Sequence, residues 1–171
     1  DINKEESIKY YKMSADKGHE NAMFKYANIL FKGEGIDINK EEAIKYYKIL
    51  SDKGNEDAMF NYANILFKGD GIPINKEESI KYYKMSADKG NEKAMFKYAN
   101  ILFTGDGTDL NKEEAIKYYK MSADKGNEEA MFNYANILFT GDGIDINKEE
   151  AIKYYKMSAD KGNEKAMLKY A

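Results

Sequence analysis

Cysteine is absent from the 171 residues, and so is arginine; all 27 basic side chains are lysines, set against 30 acids. Without cysteine there is no disulfide, no thiolate nucleophile and no thiolate-bound metal. Without arginine, and with a formal net charge of -3, the chain lacks the dense cationic face that duplex nucleic acid requires. A single histidine, His19, excludes a multi-histidine metal site and most Ser–His or His–Glu chemistry within the chain. The longest apolar stretches are about five residues, far short of the roughly twenty that span a bilayer. No cofactor, metal, nucleic acid or membrane partner is therefore implied. What is present, 43% hydrophobic and 33% charged residues, describes a soluble folded chain rather than a disordered one. Lack of cysteine and of any Asn-x-Ser/Thr sequon points towards a reducing, cytoplasmic setting. The chain opens on Asp1 and stops at Ala171 inside a running pattern. It reads as a piece of a longer chain, with any targeting segment expected outside it.

The pattern is an internal repeat. Asn3, Asn39, Asn75, Asn111 and Asn147 each open the phrase Asn-Lys-Glu-Glu, at a period of 36 residues. Residues 91–126 and 127–162 differ only at 93, 97, 108 and 110 against 129, 133, 144 and 146. All 15 tyrosines fall in two slots, five Tyr-Tyr pairs such as Tyr46-Tyr47 and five single residues such as Tyr62. All 13 glycines are punctuation: four Gly-x-Gly loops and five single glycines such as Gly90. A repeat of this length signals stacked supersecondary units that cannot each bury a core alone.

Each unit reads as two helices. In residues 55–90, Asn55 is a suitable N-cap, with Glu56 and Asp57 in the first turn, where acids complement the positive helix end. Gly69-Asp70-Gly71 ends this helix and Pro73 follows in the loop. Asn75 opens the second helix, with Glu78 placed for a capping box, and Gly90 stops it. The spacing predicts helix A over about 56–68 and helix B over about 76–89. In helix A the polar residues Asp57, Asn61, Asn64 and Lys68 make one narrow stripe and the rest of its circumference is apolar. A helix of that kind needs cover on more than one side. In helix B the polar stripe is Glu77, Lys81, Lys84 and Asp88, opposite Ser79, Ile80, Tyr83 and Ala87. Helix A is expected inside and helix B outside.

The phrase Ala58-x-x-x-Tyr62-Ala63-x-x-Leu66-x-x-Gly69-Asp70-Gly71-Ile72, followed by Asn75, Tyr82-Tyr83, Ser86-Ala87 and Gly90, resembles the Sel-1-like repeat, a relative of the tetratricopeptide repeat with a longer inter-helix loop. Tyr62, Ala63 and Leu66 stand where that family more often has Leu, Gly and an aromatic residue, a volume-conserving reshuffle of one core layer. The resemblance covers the whole chain: a leading helix B (3–17), full units at 19–54, 55–90, 91–126 and 127–162, and a partial helix A (163–171). It implies an all-α, right-handed superhelical α-solenoid of stacked antiparallel helix pairs, one array over 1–171, acting as a non-enzymatic scaffold or adaptor for protein–protein interaction. An architectural spacer and a β-lactam-hydrolysing relative are the alternatives. The second belongs to a cysteine-paired branch that this chain lacks the residues to join.

Candidate chemistry is sparse. Gly69-Asp70-Gly71 follows a helix rather than a strand and has Ile74 where a dinucleotide loop needs glycine; a helix terminator explains it. The acids from Asp142 to Glu149 lack the glycine that a calcium loop needs at its sixth position. His19 reads as a substituted cap. The polar stripe of helix A carries the functional content. Asn28, Asn64, Asn100 and Asn136 share one slot in successive units, a ladder of amide donors and acceptors suited to an extended peptide in a concave groove. Solvating the groove, or bonding a neighbouring helix, is the other reading. Some tetratricopeptide domains hold a terminal carboxylate with Asn and basic residues from successive A helices. By that resemblance Asn28, Asn61, Lys93 and Lys97, with Lys25 beside them, and again Asn100, Asn133, Lys165 and Lys169, are candidates for binding acidic or C-terminal carboxylate groups. Phe24 and Phe96 stand in the first basic slots. The open ends, with Met167, Leu168 and Tyr170, suggest self-association of the fragment.

Overall fold

The computed structural model describes residues 2–171. Among them the chain forms ten α-helices: α1 (Ile2–Asp16), α2 (Glu20–Lys32), α3 (Lys40–Asp52), α4 (Glu56–Lys68), α5 (Lys76–Lys89), α6 (Glu92–Thr104), α7 (Lys112–Asp124), α8 (Glu128–Thr140), α9 (Lys148–Asp160) and α10 (Glu164–Tyr170). The even-numbered helices are the A helices of the repeat and the odd-numbered ones the B helices. No described residue is in a strand. The chain divides into two compact units, Asp1–Met85 and Ser86–Ala171, the division falling inside α5. In the first, α2 packs on α1 and α3, and α3 on α4; in the second, α6 to α10 pack in consecutive pairs.

The helix boundaries follow from their caps. Asn55, Asn91, Asn127 and Asn163 each accept a hydrogen bond from the backbone N–H three residues on, at α4, α6, α8 and α10. His19 holds the same position at α2 but its ring makes no capping bond. At the B helices the capping box is altered. Asn39 accepts from the Glu42 N–H, and its own Nδ2 donates to Glu42 Oε2 at 3.0 Å. In the expected box the glutamate would reach the cap's backbone N–H, but that group donates to the Leu30 carbonyl and ties the loop back to helix A. The same holds at Asn75, Asn111 and Asn147. The asparagine amide serves as acceptor and donor at once, which an ionised Asp cannot do. At the other end, Gly69 has φ +71°, and a Cβ there would stand 2.6 Å from Ile74. Both the left-handed backbone and the close approach demand glycine.

Burial sorts the two helix types as expected, with one difference. In α4, Ala58, Met59, Tyr62, Ala63, Ile65 and Leu66 are all buried, leaving the polar stripe and the half-buried Phe60 and Phe67 in contact with solvent. Leu50 and Met59 are sealed, each worth about 1.5–3 kcal/mol of transfer free energy. Alanines 27, 63, 99 and 135 have no exposed surface; their small side chains permit close helix approach. The difference lies in the B helices. Sequence spacing assigns only one face to the interior, yet Tyr82 is buried beside Tyr83, and Ile80 is half exposed. The Tyr82 ring stands edge-on to Tyr62 at 5.0 Å and its hydroxyl reaches Asp52 of α3. The second flank of α5 thus reaches the preceding B helix through the Tyr82 hydroxyl, an arrangement repeated by Tyr46–Asp16, Tyr118–Asp88 and Tyr154–Asp124.

The missing cap bond at α2 makes a direct prediction. His19→Asn restores the side-chain acceptor present at the other A helices, and should stabilise α2 by about 0.5–1 kcal/mol. Hydrogen exchange of the α2 amides is the measurement, with slower exchange the expected result.

Candidate functional site

The stripe residue Asn64 is half buried on α4. Its Nδ2 donates to the Phe60 carbonyl one turn earlier at 2.8 Å, and its Oδ1 accepts the Tyr83 hydroxyl of α5 at 2.9 Å. Asn28 does the same with the Phe24 carbonyl and Tyr47. Asn100 accepts from Tyr119 at 2.6 Å and Asn136 from Tyr155 at 2.7 Å. The ladder thus bonds each A helix to the B helix that follows it. The tyrosine rings are buried, so each hydroxyl has lost water and takes the amide oxygen in its place. Asn28 and Asn64 each keep a second amide N–H beyond these bonds.

Two equivalent clefts open over these pairs. One, of about 210 Å³, is lined in the first unit by Asn28, Phe31, Tyr47, Asn61, Asn64 and Lys68 among others. The other, of about 250 Å³, is lined in the second unit by Phe103, Tyr119, Asn133, Asn136 and Thr140. Their residues correspond at a spacing of 72. Burial pushes the Tyr47 and Tyr119 hydroxyls up to about 12, the Asn61 and Asn133 amides beside them acting in the opposite sense. Burial also raises Tyr83. The aspartates at the cleft edges are engaged, Asp70 by Lys40 and Asp142 by Lys112, each at 2.5 Å.

The structure brings some of the sequence-selected residues together. Asn28, Asn61 and Asn64 share the first cleft, and Asn133 and Asn136 the second. Asn133 Nδ2 lies 3.5 Å from Asn100 Oδ1. Lys25 is exposed, with its ammonium 5.6 Å from the centre of the Tyr11 ring. Lys93 and Lys97 are exposed on α6. Lys165 and Asn133 line a separate hollow in the second unit, but Glu129 and Glu164 share it and offset the positive charge. Lys68, a stripe residue, and Lys32, its counterpart one unit earlier, both line the first cleft. Their signal was the exchange of Lys for Thr at 104 and 140. Among the described residues no helix is long and apolar enough to cross a membrane.

Antiparallel helix pairs repeated at a fixed period, each A helix bonded to its B helix through one amide, define an α-helical repeat solenoid. The chain belongs to the Sel1 repeat family, whose repeat matches residues 1–19, 21–55, 56–91, 92–127 and 128–163. It is similar to a Sel1 repeat protein from Oxalobacter formigenes, at 27% identity and a TM-score of 0.90, covering 96% of this chain and 67% of that one. It is also similar to c5321, a protective antigen of uropathogenic Escherichia coli with an SLR fold, at 26% identity and a TM-score of 0.86, covering 96% of this chain but only 35% of that protein. The cysteine-rich protein HcpB of Helicobacter pylori shares the fold at 16% identity and a TM-score of 0.59, over 75% of this chain and 92% of that one. No curated protein matches the sequence. Sel1 repeat proteins are generally non-catalytic protein-interaction scaffolds.

The tyrosine–asparagine bond can be measured. Asn64→Ala leaves the buried Tyr83 hydroxyl without its acceptor and should destabilise the fold by about 1–3 kcal/mol, whereas Tyr83→Phe, which removes the hydroxyl itself, should be milder. Urea unfolding of both single variants and the double variant gives the coupling energy, expected to be favourable. The same groups fix an alkaline limit. Folding favours the neutral hydroxyls of Tyr47 and Tyr119, so their contribution is complete below their ordinary value of 10 and is lost as pH rises through about 12. Tyrosinate absorbance should therefore rise in step with loss of helical circular dichroism in that window.

Proposed function

We propose that this chain is a protein-interaction scaffold that docks a partner protein or peptide, through acidic or C-terminal carboxylate groups, along the polar stripe of its A helices. The supporting observation is a separation of charge. At the four stripe positions of the A helices stand Lys25, Lys32, Lys68, Lys93, Lys97, Lys165 and Lys169 against only Asp57 and Glu129, while the chain as a whole is negative at -3. Excess positive charge on the A-helix stripe of an otherwise acidic chain steers and orients an anionic partner. The stripe asparagines Asn28, Asn61, Asn64, Asn100, Asn133 and Asn136 supply neutral amide donors between the lysines. Lysine lacks the bidentate fork of arginine, so the attraction is weak per residue and falls with salt. End-to-end association of the segment is a second reading. Its support is Tyr10, 59% exposed where Tyr82, Tyr118 and Tyr154 are 8%, 5% and 5% exposed, together with the open apolar residues Met167 and Leu168.

The test uses a fluorescent peptide rich in Asp and Glu with a free C-terminus. Reversing Lys25, Lys93 and Lys97 to Glu should weaken its binding about tenfold or more at low salt, each exposed charge acting at up to about 1 kcal/mol. Unchanged anisotropy titrations would remove the stripe from consideration as the docking face.

A further inference from the structure

The two equivalent clefts differ in a way that gives them different ligand preferences. In both, several acceptors of the lining are already engaged. Asn28 and Asn64 give their Oδ1 atoms to Tyr47 and Tyr83, and Asn136 gives its Oδ1 to Tyr155. Asp70 and Asp142 are held by Lys40 and Lys112. Asn28 and Asn64 each spend one amide hydrogen on a main-chain carbonyl and keep a second. A cleft with amide hydrogens to give and an aromatic wall, Phe31 in one case and Phe103 in the other, fits a side chain that ends in an oxygen acceptor and approaches on methylene groups.

The charge at the mouth then separates the two. In the first unit the helix C-terminal slots carry Lys32 and Lys68. Lys32 lies 3.4 Å from Glu34 in an exposed pair, while Lys68, exposed, is in no ion pair among the described residues. In the second unit the same slots carry Thr104 and Thr140, whose hydroxyls donate to the carbonyls of Asn100 and Asn136 at 2.8 and 2.9 Å. They offer the cleft no cation and no free hydrogen. We infer that the cleft between α2, α3 and α4 binds a glutamate carboxylate of a peptide partner, with Lys68 and the Asn61 and Asn64 amides as donors, and that the cleft between α6, α7 and α8, with Thr140 in place of Lys68, does not prefer the acid to its neutral glutamine equivalent. The inference rests on the stripe being the docking face and adds a residue-level difference in recognition: a preference for the acid in the first unit and none in the second. The volumes, about 210 and 250 Å³, admit one such side chain each.

Two blocked pentapeptides, acetyl-Ala-Ala-Glu-Ala-Ala-amide and its Gln counterpart, test this by following side-chain amide resonances in nitrogen-15-labelled protein. The Glu peptide should move the Asn61 and Asn64 signals at about threefold lower concentration than the Gln peptide, the range of one exposed ion pair. At Asn133 and Asn136 it should show no such advantage. Lys68→Thr should abolish the preference in the first cleft, and Thr140→Lys should create one in the second. Both positions are exposed, so backbone spectra should otherwise be unchanged. Equal titration by the two peptides at Asn61 and Asn64, or a preference that survives Lys68→Thr, overturns the inference. If shifts then appear at Lys93 and Lys97 instead, the docking stripe stands without these clefts. If no stripe residue moves, both readings fall.

Discussion

The structure depends on the junction between a half-buried asparagine on each A helix and a buried tyrosine on the following B helix. Helix A is apolar round most of its circumference and is stable only when neighbours cover it. Covering it brings the second tyrosine of each Tyr-Tyr pair against its polar stripe. The hydroxyl at the tip of that ring cannot be left dry and unpaired. The asparagine resolves the conflict, accepting the hydroxyl while tying its own amide to the preceding turn of helix A. The bond fixes the rotation of one helix against the next. Four asparagines in the described chain make it.

That junction also shapes the candidate site. Because the oxygens of Asn28, Asn64, Asn100 and Asn136 are taken by tyrosine, these amides have chiefly N–H to offer, and lysines on the same stripe add positive charge. A scaffold of Sel1 repeats needs no catalytic geometry, only a surface whose pattern differs from unit to unit. Here the frame is nearly invariant while the slots at 25, 61, 97, 133 and 169 alternate Lys, Asn, Lys, Asn, Lys. The slots at 32, 68, 104 and 140 change from Lys to Thr. Variation confined to solvent-facing positions can alter recognition at little expense to packing.

Much of this was legible beforehand. The period, the two helices per unit and the glycine terminators follow from local chemistry: caps, left-handed turns and apolar spacing. The inner and outer assignment of the helices follows from how much of each circumference is apolar. The site was less legible. Asn28 and Asn64 could be placed on the stripe, but not their oxygens on Tyr47 and Tyr83, because nothing in the spacing says where a tyrosine hydroxyl will end. The Tyr-Tyr pairs read as core, but helical spacing sets only Tyr83 opposite the polar stripe, because periodicity describes one helix against one neighbour and the Tyr82 hydroxyl reaches a second, α3. Lys68 is legible as a stripe residue, but not that its neighbour Asp70 is occupied by Lys40.

The amino-acid sequence by itself determined the class of fold, the membership of each residue in helix A, helix B or loop, and the absence of thiol and multi-histidine chemistry. These are consequences of composition and of interactions within about four residues along the chain. Only the tertiary structure decided which atoms of the stripe remain available. Hydrogen-bond partners 19 and 30 residues apart, such as Tyr83 with Asn64 and Lys40 with Asp70, are chosen by how helices pack. A buried polar atom takes whichever partner the packing brings within reach.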